Sequence, residues 1–212
     1  MLRLLIDLHL HTVHSSDSRV TLDNAARRCR EEGLDGFAVT NHDTLIEIPK
    51  DISEDSGLVV ISGVEVSARG AHIVALGISE EIPTGLSFSD TVERIHDQGG
   101  LAIIAHPYSV FRTWANGREV EEAGFDCIEV ANAYQWPYGW MVKMNTALAE
   151  RLGLPKTGGS DAHIPQTVGR AYTILEADSR DLEGAMAALR KGLTEAQGRG
   201  ISLSERLKLS RE

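Results

Sequence analysis

The sequence predicts an α/β fold, and three observations carry that prediction. Short apolar runs alternate with amphipathic stretches, the strand-then-helix order of α/β proteins. About seven or eight of those runs read as strands from their length and apolar content. Histidines and carboxylates collect at the carboxyl ends of several of them, the edge on which α/β sheets and barrels build sites. A largely parallel sheet is expected. On pattern alone a closed barrel and an open doubly wound sheet both fit. No GxGxxG follows the first strand and no GxxxxGK[ST] occurs, which takes support from the nucleotide-binding open sheets.

The elements follow in order. Leu2–Leu8 reads as a strand. Thr21–Glu32 reads as a helix with Thr21 as its cap, an apolar face of Leu22, Ala25, Ala26 and Cys29, and Gly33 as its stop. Gly36–Thr40 is a second strand. The polar loop 49–57 precedes a third, Leu58–Val66. Arg69-Gly70 is a turn, and His72–Ile78 continues as a strand. The helix Ser89–Gln98 stops at Gly99-Gly100, and Leu101–Ala105 and Phe125–Ala131 are strands. Met141, Asn145, Leu148 and Leu152 form a helical stripe. Lys156–Ser160 and Ala171–Leu175 are strands, and Asp181–Lys191 is a helix.

A chain of 212 residues fits one domain, expected over 1–197. The polar tail, 198–212, carries Ile201, Leu203, Leu207 and Leu209 and reads as a short docking helix or a frayed end. The formal charge of −10 argues against an extended nucleic-acid surface or an anionic membrane as partner. It leaves room for a small positive pocket. No apolar run approaches the ~20 residues of a membrane span. The apolar start Met1–Ile6 meets Asp7 and His9 too soon for a signal-peptide core. Cys29 and Cys127 lie far apart without a CxxC, so both read as buried small side chains and the cytoplasm as the expected compartment.

Asp7, His9 and His11 alternate, so their side chains share one face of the first strand. Burying three such groups unpaired costs several kcal/mol each, and a divalent metal is the natural partner for two imidazoles and a carboxylate. Further strands end in Thr40-Asn41-His42-Asp43, Gly63-Val64-Glu65-Val66, Ala105-His106-Pro107 and Gly159-Ser160-Asp161-Ala162-His163, and His72 opens another. His96 lies inside a helix with no polar cluster beside it. His14 follows the first motif but falls outside its alternation.

The ordered set from Asp7-Leu8-His9-Leu10-His11-Thr12 to Asp161-Ala162-His163 resembles the PHP superfamily, named for polymerase and histidinol phosphatase. The resemblance runs from Ile6 to near Tyr172. It implies a distorted (β/α)7 barrel and two or three divalent metal ions, with zinc, manganese and iron all suited to mixed N/O donors. By motif, His9, His11, Glu65 and Asp161 would hold one ion. Glu65 would bridge to a second, held also by His72 and His106. Asp17, His42 and His163 would hold a third.

Clustered dications neutralise phosphate oxygens and activate water, so the resemblance implies metal-activated hydrolysis of a phosphoester with Glu65 at its centre. Asp7 and His14 are candidate acids for the leaving group, and Asp7 also reads as a partner orienting a ligating imidazole. Arg19, Arg112, Lys143 and Arg170 are candidate phosphate contacts. Asn145 interrupts an apolar stripe and reads as a site contact or a buried structural hydrogen bond. The aromatic segment 134–140 reads as a lid or stacking wall, a packed loop, or a contact through which the chain forms an oligomer. The expected activity is a metal-dependent phosphoesterase on a small phosphorylated metabolite, nucleotides included. The alternatives are a 3'-5' exonuclease or other nuclease on single-stranded nucleic acid, an amidohydrolase-type metal hydrolase, and non-enzymatic metal storage.

Overall fold

The computed structural model describes residues 1–54, 56–109, 113–202 and 206. The strands are β1 (Leu2–Asp7), β2 (Gly36–His42), β3 (Val59–Ala68), β4 (Ala71–Leu76), β5 (Leu101–Ala105), β6 (Tyr108–Ser109), β7 (Thr113–Trp114), β8 (Cys127–Asn132), β9 (Lys156–Gly159), β10 (Ala171–Ala177) and β11 (Thr194–Gly198). The helices are α1 (Leu22–Glu31), α2 (Lys50–Ser53), α3 (Phe88–Asp97), α4 (Gly117–Ala123), α5 (Tyr138–Leu152) and α6 (Leu182–Arg190). Thr21 caps α1, its side chain accepting from Asn24 N–H at 3.1 Å. The short α2, the β6–β7 hairpin, α4 and β11 were not expected from the sequence.

One sheet carries the order β11-β10-β1-β2-β3-β4-β5-β8-β9. It is mixed rather than largely parallel: β1–β2, β2–β3, β5–β8 and β8–β9 pair parallel, whereas β10–β1, β10–β11, β3–β4 and β4–β5 pair antiparallel. The reason lies at Arg69-Gly70. A parallel neighbour needs a crossover of a dozen or more residues. Only a tight turn separates β3 from β4, with Gly70 at φ +92, so β4 must run backwards. Its first residues therefore arrive at the edge where its neighbours end. His72 pairs with Ser67 on one side and with Ala105 on the other.

The sheet nearly closes into a distorted barrel. Beyond β1 the chain continues to a parallel bridge between Leu10 and Ala162. His11 N–H donates to Ala162 O at 3.1 Å, and Asp161 N–H donates to His9 O at 2.8 Å. That bridge joins the β9 side to the β1 side at the carboxyl edge. Leu4, Ile6, Leu8, Ile61, Leu76 and Ile103 form one buried cluster, on which Ala185, Met186 and Leu189 of α6 pack. Cys29 of α1 is buried against Phe37 and Val39. Both cysteines are free and buried; burial pushes the Cys127 thiol up to about 12 and the Cys29 thiol well above its ordinary value. At the C-terminal end, Ile201 is buried and its N–H donates to Ala133 O at 2.9 Å. Leu203, Leu207 and Leu209 lie outside the described residues.

Candidate metal centre

Glu65, near the middle of β3, is buried at the barrel mouth. Its Oε1 lies 3.0 Å from His72 Nδ1, 3.1 Å from His106 Nε2 and 3.4 Å from His9 Nε2. Its Oε2 lies 2.8 Å from His42 Nδ1 and 3.4 Å from His11 Nε2. Asp161 Oδ1 is 3.2 Å from His11 Nε2 and 3.7 Å from both His9 Nε2 and His163 Nδ1. Asp17 is exposed, with Oδ2 3.3 Å from His163 Nε2 and 3.5 Å from His42 Nε2. The structure thus brings His9, His11, Asp17, His42, Glu65, His72, His106, Asp161 and His163 into one cluster.

Among the described residues, three groups of donors have their atoms within 4.8 Å of one another: His9–His11–Asp161, His9–Glu65–His106 and His11–His42–His163. The cluster is poorly satisfied as a hydrogen-bond network. Glu65 Oε2 and His72 Nδ1 are buried without a hydrogen-bond partner, although imidazole or carboxylate atoms stand about them at 2.8–3.0 Å. Buried polar atoms left so cost ~1–3 kcal/mol each. A mixed imidazole and carboxylate set with such orphaned donors fits divalent cations of the zinc, manganese or iron type.

The electrostatics agree. Burial alone would raise the Glu65 pKa, but the facing imidazoles, His9 first, hold it well below the usual carboxylate range. Asp161 is held low in the same way, against burial, by His9, His11 and His163. Burial lowers His11 to about 4, a neutral ligand-ready ring, whereas at His9 the charges of Glu129, Asp161 and Glu65 overcome burial and raise the pKa.

The local backbone is shaped for this edge. Asp43, His106 and Asp161 all sit at positive φ (+51, +30 and +51), each within two residues of a strand end. Such non-glycine conformations cost ~1–3 kcal/mol and persist only when their surroundings impose them. Asp43 N–H donates to Glu65 O at 3.0 Å, and the Asp43 carboxylate accepts from Ser67 N–H at 2.6 Å and Ser67 Oγ at 2.7 Å. Asp43 thereby holds the Glu65 carbonyl and the backbone two residues beyond it. Gly159 is required by close approach: a Cβ there would stand 2.3 Å from His9 Cβ.

Several expected site residues lie elsewhere. Regular pairing of β1 ends at Asp7, so strand alternation does not carry Asp7 into the imidazole cluster. Asp7 is fully buried and accepts from the backbone N–H groups of Ser160 (2.8 Å), Gly169 (3.0 Å) and His9 (3.3 Å). Burial raises its pKa to about 6. Among the described residues its hydrogen bonds go to loop backbone rather than to an imidazole ring. His14 is exposed, with Nδ1 3.1 Å from Thr12 Oγ1. Asn145 is fully buried; it accepts from Tyr108 N–H at 3.1 Å and donates to Gln135 Oε1 at 2.9 Å, which is the buried structural hydrogen bond of its two expected roles. Lys143 is exposed and lies across α5 from the buried Met141, Asn145 and Leu148, so it faces away from the barrel. Arg19 and Arg170 remain at the rim: Arg19 N–H donates to His163 O, and Arg170 directly follows the Gly169 that binds Asp7. Arg112 lies outside the described residues.

The aromatic segment is partly helical, since Tyr138 opens α5. The Tyr134 ring lies 5.6 Å from the His163 ring, at the site, while Trp136 and Trp140 are 53% and 50% exposed. Sequence reasoning missed Glu129, which is buried on β8 with Oε1 3.0 Å from His9 Nδ1. Its signal was a carboxylate inside an apolar strand run, a residue type almost never fully buried unless paired.

Comparison with known proteins accords with this geometry. Residues 7–122 match the model of the PHP domain, and residues 144–194 match the PHP-associated model. An uncharacterized protein of Methanocaldococcus jannaschii is 35% identical over 141 residues, 60% of this chain and 81% of the relative. A phosphoribosyl 1,2-cyclic phosphate 1,2-diphosphodiesterase of Eggerthella lenta is 33% identical over 99 residues, 42% of this chain but only 37% of that enzyme. Among solved structures, a two-domain protein of Bacteroides vulgatus containing a predicted PHP-like metal-dependent phosphoesterase superposes with a TM-score of 0.76. The match covers 93% of this chain and 65% of the other, and at 22% identity it speaks for the fold alone. A family match over more than half of the chain makes the protein a member of the PHP domain family, and a metal-dependent hydrolase within it.

Proposed function

We propose that the protein hydrolyses a phosphoester of a small metabolite, nucleotides included, at a centre of two or three divalent ions. The observation that carries this reading is Glu65: one buried carboxylate faced by the imidazoles of His9, His11, His42, His72 and His106. In this reading His9, His11, Glu65 and Asp161 hold one ion, Glu65 with His72 and His106 a second, and Asp17, His42 and His163 a third. Bound there, dications neutralise phosphate oxygens, acidify water and stabilise the attacking and leaving oxygens.

The chain's own residues supply the alignment. His163 Nδ1 lies 2.9 Å from Asp161 O, which only a protonated Nδ1 can satisfy, leaving Nε2 as the donor. Ser15 Oγ gives its proton to Asn41 Oδ1 and stands 3.2 Å from His11 Nδ1, so it accepts from that ring and sets the same tautomer. Asp43 keeps Glu65 in register. Arg19 and Arg170 at the rim are the candidate phosphate contacts. His14 is the accessible candidate for protonating the leaving group, because the Asp7 carboxylate is committed to backbone.

A small substrate is favoured by the net charge of −10, which opposes a long polyanion. Similarity to an enzyme named for phosphoribosyl 1,2-cyclic phosphate adds support for a phosphorylated small molecule. The test is a panel of mononucleotides, sugar phosphates, cyclic phosphodiesters and single-stranded oligonucleotides, run with manganese, zinc and iron beside metal analysis. Turnover of the small phosphoesters is expected. Turnover confined to oligonucleotides, falling steeply with salt, would replace this reading with a nuclease. Hydrolysis of amides alone would replace it with an amidohydrolase-type enzyme, and no turnover with any metal would favour metal storage.

A further inference from the structure

Glu129 belongs to none of the three donor groups, yet it reaches donors from three parts of the chain. Its Oε1 lies 3.0 Å from His9 Nδ1. Its Oε2 accepts from His106 N–H at 2.9 Å and from Asn132 Nδ2 at 3.0 Å. Asn132 Nδ2 also donates to Asp161 Oδ2 at 3.2 Å, which leaves Asp161 Oδ1 turned toward His9 and His11. The carboxylate is only 3% exposed, so water does not compete for these bonds. A carboxylate can only accept, and its partner at His9 must therefore be Nδ1–H. That leaves His9 Nε2, on the side of Glu65 and Asp161, as the nitrogen that would turn to an ion. The same carboxylate holds the amide of His106, whose backbone sits at φ +30.

We propose that Glu129 is a positioning residue that, without touching ion or substrate, sets three donors together: Nε2 of His9, the strained backbone of His106, and Oδ1 of Asp161. The proposal rests on the metal reading above. Glu129→Gln isolates it. Glutamine keeps the shape but makes one end a donor. Whichever way it turns, an NH2 group meets either His9 Nδ1–H or the N–H groups of His106 and Asn132. Zinc alone is the probe, with its affinity read by competition against a chromogenic chelator and its stoichiometry by elemental analysis. Loss of partners behind ligating residues typically lowers metal affinity about 10- to 100-fold, and that loss is expected in E129Q. Glu129→Asp, which keeps the charge but withdraws it by one methylene, is expected to lose affinity in the same direction. In the zinc-loaded, ¹⁵N-labelled natural protein, His9 is expected to carry its proton on Nδ1.

The outcomes separate. If the unsubstituted protein takes up none of zinc, manganese and iron, the metal reading itself fails. If it binds zinc and the folded variants bind equally tightly, only the role of Glu129 falls. Should both variants fail to fold, the His9 tautomer decides, and zinc ligated through Nδ1 would overturn the proposal.

Discussion

Two imidazole–carboxylate pairs stand at opposite ends of the barrel with almost the same separation. His9 and Glu129 are 3.0 Å apart at the carboxyl edge; His96 and Asp126 are 2.9 Å apart at the amino edge, where α3 leads into β5. The first pair is 1% and 3% exposed, the second 41% and 28%. Distance therefore says little about role. The buried carboxylate accepts two further hydrogen bonds, from His106 N–H and Asn132 Nδ2, and its imidazole points at two more acids. At the surface, water screens the pair, and Asp126 chiefly accepts from Ala102 N–H at 2.7 Å to start a strand. Exposed pairs of this sort contribute ~0–1 kcal/mol.

Substitutions at the two ends should widen this contrast. The largest effect is expected at Glu65→Gln, which leaves the central donors with a neutral amide: hydrolytic turnover should fall by roughly 10³-fold, the scale of losing one preorganised charge-stabilising group. Retained activity and metal content in E65Q would break the assignment of the carboxyl edge. Next comes Asn145→Ala, which removes the Asn145 partner of Tyr108 N–H and of Gln135 Oε1 near the site. A stability loss of about 1–3 kcal/mol in urea is expected, with KM unchanged in the folded protein. A raised KM at unaltered stability would return Asn145 to the site. His96→Ala at the amino edge should cost at most about 1 kcal/mol and leave turnover and zinc affinity intact. The smallest response is expected from Cys29 and Cys127. Buried and with raised pKa values, they should stay unreactive toward a thiol reagent in the native protein and react only on unfolding. Rapid native modification would show the barrel wall to be open at α1 or β8.

The cluster at the carboxyl edge was largely legible in the sequence because donors placed at strand ends announce themselves locally. His9 and His11, or Asp161 and His163, are read from spacing of two. Asp7 shows the limit of that reading: the same spacing included it, but β1 stops pairing there and its carboxylate turns to Ser160 and Gly169. Asn145 was visible as a polar break in an apolar stripe, yet only its neighbours reveal that both ends of the amide are occupied. The polar, five-residue β11 carried no apolar alternation to betray it, since it pairs on β10 with its outer residues in solvent.

By itself the sequence determined the order of the longer apolar strands and amphipathic helices and the chemical type of residue at their ends, because periodicity, caps and turn glycines act over a few residues. Only the tertiary structure decided which of those residues meet. A turn at Arg69-Gly70 reverses β4 and delivers His72 to the common edge. The Leu10–Ala162 bridge draws the ends of β1 and β9 together, so that His9 and His11 face Asp161. Glu129 stands behind His9 from 120 residues away, a separation across which no local pattern carries information.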